Sequence, residues 1–137
     1  MENCIFCKIA AGEIPAITLY EDKEVKVIFD AGPATKGHAL VIPKAHADNV
    51  FDIPEETLAK AHIVAKKVAT ALKEATGCAG VNILQNNGEV AGQSVFHLHI
   101  HVIPRYPDDT AHIKWTPGTQ DTEYLEELAQ TVQEKMK

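Results

Sequence analysis

The chain has 137 residues with 45% hydrophobic content, enough for one domain with a substantial core. Its formal net charge of -6 at pH 7 disfavours a nucleic acid or an anionic membrane as partner, because basic surfaces attract both. A small anionic ligand, held by local donors, stays open.

No apolar run reaches the roughly 18 residues of a membrane span. Met1 is followed by Glu2 and Asn3, not by a basic segment and an apolar core, so no secretory signal is expected. Three cysteines are an odd number and suggest no disulfide framework, which fits a reducing, cytoplasmic location.

In chain order, the first feature is Cys4-x2-Cys7. Three readings stand: a redox pair, which lacks the preceding strand such motifs need; two small packed hydrophobes; or half of a zinc site. Val25–Phe29 and Ala39–Pro43 are short apolar strands separated by the loop DAGPATKG. One long helix follows over 55–76, with Leu58, Ala61, Ala65, Val68 and Leu72 on one face. Asp52, three residues before Glu55, reads as a capping box, and Gly77 as the C-terminal stop. Ile63 and Val64 lie off that face and suit either a subunit interface or ordinary partial burial. A strand over 80–87 leads into a Gly-bearing loop over 88–93. A second strand covers 96–103, with Pro104 ending it. A last helix over 122–135 carries Leu125, Leu128 and Val132 on its face. The expected fold is α+β, a single domain over 1–137 with a mainly antiparallel sheet and helices against it.

In the second of those strands His97, His99 and His101 alternate with Leu98, Ile100 and Val102. Residues at i, i+2 and i+4 share a face, with steps of about 6.5 to 7 Å. Exposed strand faces carry Thr, Lys or Glu more often than His, so three in register ask for a function. Metal binding is one answer, phosphate chemistry the other, since imidazole is both a nucleophile and a donor to phosphate oxygens. The preceding residues favour phosphate: Asn86, Asn87, Gly88, Gly92 and Ser94 resemble an anion cradle more than a metal shell.

The stretch QSVFHLHIHVIP resembles the signature of the histidine triad nucleotide-binding family. CIFCKIAAGEIPA, YEDKEVKVIFD, TKGHALVIPKAH and LQNNGEVAGQSVFHLHIHVIPRY extend the resemblance over most of the chain, to the Hint branch in its bacterial form. The resemblance implies a histidine triad fold and a hydrolase or transferase acting at the α-phosphorus of a purine nucleotide of AMP or GMP type. It implies that His99 is the nucleophile, that the His97 carbonyl orients it, and that His101 contacts the phosphate. It places Ser94 near the leaving group, Asn86 on the phosphate side, and Gly92 and Gln93 in a loop donating backbone groups. Asp30 would accept from the ribose hydroxyls; on its residues alone it equally caps a turn in FDAGP. Ile5, Phe6, Ile9 and Ile28 would clamp the base, with core packing as the alternative, and His38 would support the triad from behind.

The resemblance also resolves the cysteine motif into a structural zinc site of Cys4, Cys7, His46 and His97. It further implies a homodimer, with the segment around Trp115 approaching the neighbouring subunit's site. Cys78 reads as a packed thiol, His62 as exposed, and His112 has no assigned role. The expected substrates are purine nucleoside phosphoramidates. The rivals are dinucleoside polyphosphate cleavage, a nucleotide-binding regulator with incidental catalysis, and a metalloenzyme using all three triad histidines as ligands.

Overall fold

A computed structural model describes residues 3–137; the reading of Met1 and Glu2 lies outside them. The order is α1 (Ile5–Ala10), β1 (Thr18–Glu21), β2 (Val25–Phe29), β3 (Ala39–Pro43), α2 (Glu55–Thr76), β4 (Gly80–Leu84), β5 (Ile100–Arg105) and α3 (Thr122–Lys135). The strands form one antiparallel sheet in the order β1-β2-β3-β5-β4. Helix α2 covers one face of it. Ala61, Val64, Ala65, Val68 and Leu72 pack there on Val25, Val27, Ala39, Val41, Leu98, Ile100 and Val102. On the opposite face a smaller core of Phe6, Ile9, Ile28, Leu40 and Ile42 seats α1. Among the described residues no helix is long and apolar enough to cross a membrane.

Several boundaries differ from expectation for identifiable reasons. β5 begins at Ile100, not near residue 96. Its register against β3 pairs Val41 with Ile100, so Leu98 would next face Pro43, which has no N–H for the ladder. The Leu98 N–H instead bonds Ala47 O at 2.7 Å. Pro104 does not end the strand but lies within it, paired with Val81. It is tolerated because β3 does not extend alongside it, and the Thr35 hydroxyl satisfies its carbonyl at 2.6 Å.

Asp52 does not cap α2. Pro54 is the N-cap, and the Asp52 carboxylate closes the preceding turn by accepting from Asn49 N at 3.1 Å. Gly77 does stop the helix, in the left-handed region at φ 66°, with its N–H on Lys73 O. Ile63 and Val64 part company: Val64 joins the core, whereas Ile63 is 54% exposed. The α3 face of Leu125, Leu128 and Val132 was expected to pack, but no residue of that helix is buried.

Candidate active site

The alternation of the triad survives the late start of β5. Leu98, Ile100 and Val102 enter the α2 core, which turns His97, His99 and His101 to the α1 side. There the Phe6 ring meets His99 edge-on at a centroid distance of 4.8 Å and His97 at 6.1 Å. His101 is half-buried; it is aligned with Leu40 on β3 and Leu84 on β4.

Fixed partners assign the proton on each ring. A backbone carbonyl only accepts and a backbone N–H only donates. His99 Nδ1–H therefore donates to His97 O at 2.7 Å, which leaves Nε2 with its lone pair for the adjoining cavity. Burial lowers the His99 pKa, against the opposing pull of that hydrogen bond and the Asp30 charge, and keeps the ring neutral. Ala34 N–H donates to His38 Nδ1 at 2.9 Å, so His38 carries its proton on Nε2 and donates it to His101 Nδ1 at 2.9 Å. His101 is left with its own proton on Nε2. Burial, with His99 and His38 nearby, pushes the His101 pKa down to about 4. The result is a neutral nucleophile beside a neutral donor, their ring centroids 5.0 Å apart.

The cavity they front, about 570 Å³, is otherwise largely apolar. Ile5, Phe6, Ile9, Ile28, Asp30 and Ser94 all line it, as does Phe29, which the sequence reading missed although it precedes Asp30 directly. Asp30 Oδ1 caps the turn by accepting from Gly32 N at 2.8 Å, and Oδ2 lies 3.5 Å from His38 Nε2. His38 is buried behind His101.

Asn86, Gly92 and Gln93 lie in the loop that leads to Ser94 and do not line this cavity. The N–H groups of Ala91, Gly92 and Gln93 bond to carbonyls within the loop, and Gly88 N–H bonds Gln93 Oε1 at 2.9 Å. The Gln93 side chain is 2% exposed and ties the loop to Asp48 O at 2.6 Å. Gly92 has φ 102°, and a Cβ there would come within 3.2 Å of Asn86 Nδ2, so glycine is required. These residues hold the loop's shape in front of Ser94.

Cys4, Cys7, His46 and His97 bring one ligand atom each within 4.8 Å of one another. His97 Nε2–H donates to Pro43 O at 2.7 Å and His46 Nε2–H to Asp48 Oδ1 at 2.8 Å. Both rings therefore turn proton-free Nδ1 atoms inward, 3.1 Å apart, with the Cys7 sulfur 3.3 Å from one and 3.4 Å from the other. Two facing lone pairs repel unless a cation lies between them. Outer partners that fix the tautomer are a regular feature of metal-bound imidazoles, and two sulfurs with two nitrogens suit a tetrahedral ion. The residues fit a metal.

The three triad rings do not converge as a joint metal site, because His97 directs its Nδ1 to the cysteines and His99 directs its own to a carbonyl. That rival reading is discarded. Cys78 is buried as expected. His62 and Trp115 are exposed, and Trp115 is 84% accessible.

A family model described as HIT domain matches residues 11–108. Protein hit of Bacillus subtilis is 50% identical over 105 residues, covering 77% of this chain and 72% of that protein. The adenosine 5'-monophosphoramidase HNT1 of Saccharomyces cerevisiae is 43% identical over 121 residues, covering 88% and 73%. Among solved structures, a HIT family protein from Bacillus anthracis superposes with a TM-score of 0.93 at 40% identity, covering 99% of both chains. A Zn-bound histidine triad family protein from Mycobacterium smegmatis gives 0.77 at 37% identity, again over 99% of both.

Proposed function

The chain belongs to the HIT family, and on that premise we propose that it hydrolyses purine nucleoside 5'-phosphoramidates through a covalent nucleotidyl-His99 intermediate. The observation that carries the reading is the His99 Nδ1–H bond to His97 O at 2.7 Å, which leaves a neutral Nε2 facing the cavity shared with His101 and Ser94. The similarity to a yeast adenosine 5'-monophosphoramidase supports the substrate class.

In the proposed reaction the nucleoside lies among Ile9, Ile28 and Phe6, with Asp30 Oδ2 toward the ribose. His99 Nε2 attacks the α-phosphorus, the N–P bond to His99 forms and the P–N bond to the amine breaks. His101 Nε2–H donates to a phosphate oxygen, where charge develops. Ser94 gives its hydroxyl proton to the departing nitrogen. Water then attacks the nucleotidyl-histidine, its proton restores Ser94, and the nucleoside monophosphate leaves with His99 regenerated. Positioning supplies much of the acceleration, as in phosphoryl transfer generally.

Cys4, Cys7, His46 and His97 would hold a structural zinc, a reading supported by the inward Nδ1 pair and by the Zn-bound relative. The ion would supply a crosslink between α1 and the residue whose carbonyl orients His99. We also place the chain in a homodimer, supported by exposed Ile63 on α2 and Ile83 on the edge strand β4. The cytoplasm suits its free thiols.

Steady-state kinetics on an adenosine phosphoramidate and a diadenosine polyphosphate test the substrate reading. Wild type should favour the phosphoramidate, and His99→Ala should lose on the order of 10⁴-fold or more in kcat. Preference for the polyphosphate would overturn the substrate class.

A further inference from the structure

Lys26 of β2 is 8% exposed, a buried cation on the face of the sheet that seats α1. It is aligned with Ile42 and lies two residues from Ile28, both members of the core beneath α1. Its chain neighbours Val25 and Val27 enter the α2 core instead. We propose that Lys26 is a positioning residue for the nucleoside pocket: its ammonium fixes Ile9 O and, through it, the wall on which the base rests. The inference rests on the nucleotide-binding side of the proposed function and deepens it.

Packing alone would put an apolar side chain at this position. A buried ammonium is tolerated only where acceptors meet it. Here Nζ donates to Ile9 O at 3.1 Å, with Glu21 Oε1 3.8 Å away. Ile9 O also accepts from Gly12 N at 3.0 Å, in the turn that leaves α1. That carbonyl is therefore the junction of two pieces of cavity wall: Ile5, Phe6 and Ile9 before it, and residues 14–17 after it. Neither piece is a strand of the sheet, and a helix of six residues does not hold itself in water. α1 is tied at its start by the cysteines that face His46 and His97. Among the described residues, Lys26 makes the only hydrogen bond from the sheet to its last turn. Lys26 does not itself line the cavity and bonds to none of His99, His101 and Ser94. Its loss should loosen the grip on the base and largely spare the chemistry.

Lys26→Met, apolar and of similar length, tests this against Lys26→Arg, which keeps a charged donor. Calorimetry with AMP should show Lys26→Met binding about tenfold more weakly than wild type, the scale of a lost apolar contact in a pocket. Ribose 5-phosphate, which lacks the base, should bind both proteins alike. On an adenosine phosphoramidate the loss should fall on KM, with kcat lowered much less, the pattern of lost uniform binding. Lys26→Arg should recover most of the AMP affinity. Lys26→Gln, shorter and neutral, should show the same split as Lys26→Met and replaces it if that variant does not fold. Unchanged AMP affinity in the folded neutral variant, an equal loss for AMP and ribose 5-phosphate, or a loss in kcat as large as that in kcat/KM overturns the positioning role and leaves the phosphoramidase reading standing. Folded wild type that binds AMP but hydrolyses no phosphoramidate overturns that reading, and the AMP comparison still decides the role of Lys26. Folded wild type that does not bind AMP overturns both.

Discussion

His97 serves two sites through different atoms. Its carbonyl holds His99 at 2.7 Å, and its Nδ1 faces Cys4 at 3.3 Å. The alternating pattern of the triad was legible in the sequence because side-chain period in an extended segment is fixed. The roles of the three rings followed only from the family resemblance, and the tautomers of His97 and His101 were not legible, because each is set by a partner remote in sequence: Pro43 for His97, Ala34 through His38 for His101. Two predictions belong here. If the Ser94 hydroxyl protonates the leaving nitrogen, Ser94→Ala should slow substrates with high leaving-group pKa more than those with low. A rate series graded by amine pKa reads this, and an equal loss throughout would assign Ser94 to loop structure. The second concerns pH. The folded His101 pKa is about 4, below an unfolded value near 6.5, so below pH 6.5 the unfolded chain binds more protons. The His101 contribution to stability is complete above about pH 6.5 and is lost as pH falls toward 4. Chemical denaturation across that range should show wild type losing more stability than His101→Asn; parallel curves would remove His101 as the cause.

At the scale of elements, α1 is the piece that ties metal set to catalytic strand. It has six residues, too few for a periodic signal, and its cues are tertiary. Cys4 Sγ caps it by accepting from Cys7 N at 3.3 Å, and the buried Lys26 of β2 donates to Ile9 O at 3.1 Å at its other end. β1 was missed for a related reason: it is a four-residue edge strand with three exposed positions, leaving little alternation to read. The α2 face was legible because its apolar spacing needs no partner to be recognised, whereas its cap depended on the proline that displaced Asp52. Elemental analysis of protein purified without chelator should give about one zinc per chain. Cys4→Ser should lower unfolding free energy by on the order of a few kcal/mol, while kcat per folded molecule falls much less. A larger effect on kcat than on stability would make the ion catalytic instead.

The whole chain is α+β with the histidine triad architecture, its matched family region ending at residue 108. Arg105 closes that region, holding Asp109 through Nε at 2.8 Å and Asn82 at 2.8 Å. Beyond it, α3 keeps Leu125, Leu128 and Val132 at 38%, 39% and 44% exposure, surface that its own chain leaves open. The sequence pattern identified that apolar face correctly but could not say whether the same chain would cover it. A helix of this length is marginal in water without packing. Sedimentation should therefore give twice the chain mass, and Ile63→Asp should shift the population toward monomer. A wild-type monomer at micromolar concentration would exclude the proposed dimer.

The central claim is that His99 is a covalent nucleophile. Rapid quenching of a single turnover with a labelled adenosine phosphoramidate tests it most directly. The account predicts an acid-labile, base-stable nucleotidyl adduct on His99 that forms and decays at rates matching turnover, and that is absent from His99→Ala. Full turnover with no adduct at any quench time, together with near-normal activity in His99→Ala, would mean that water attacks phosphorus directly.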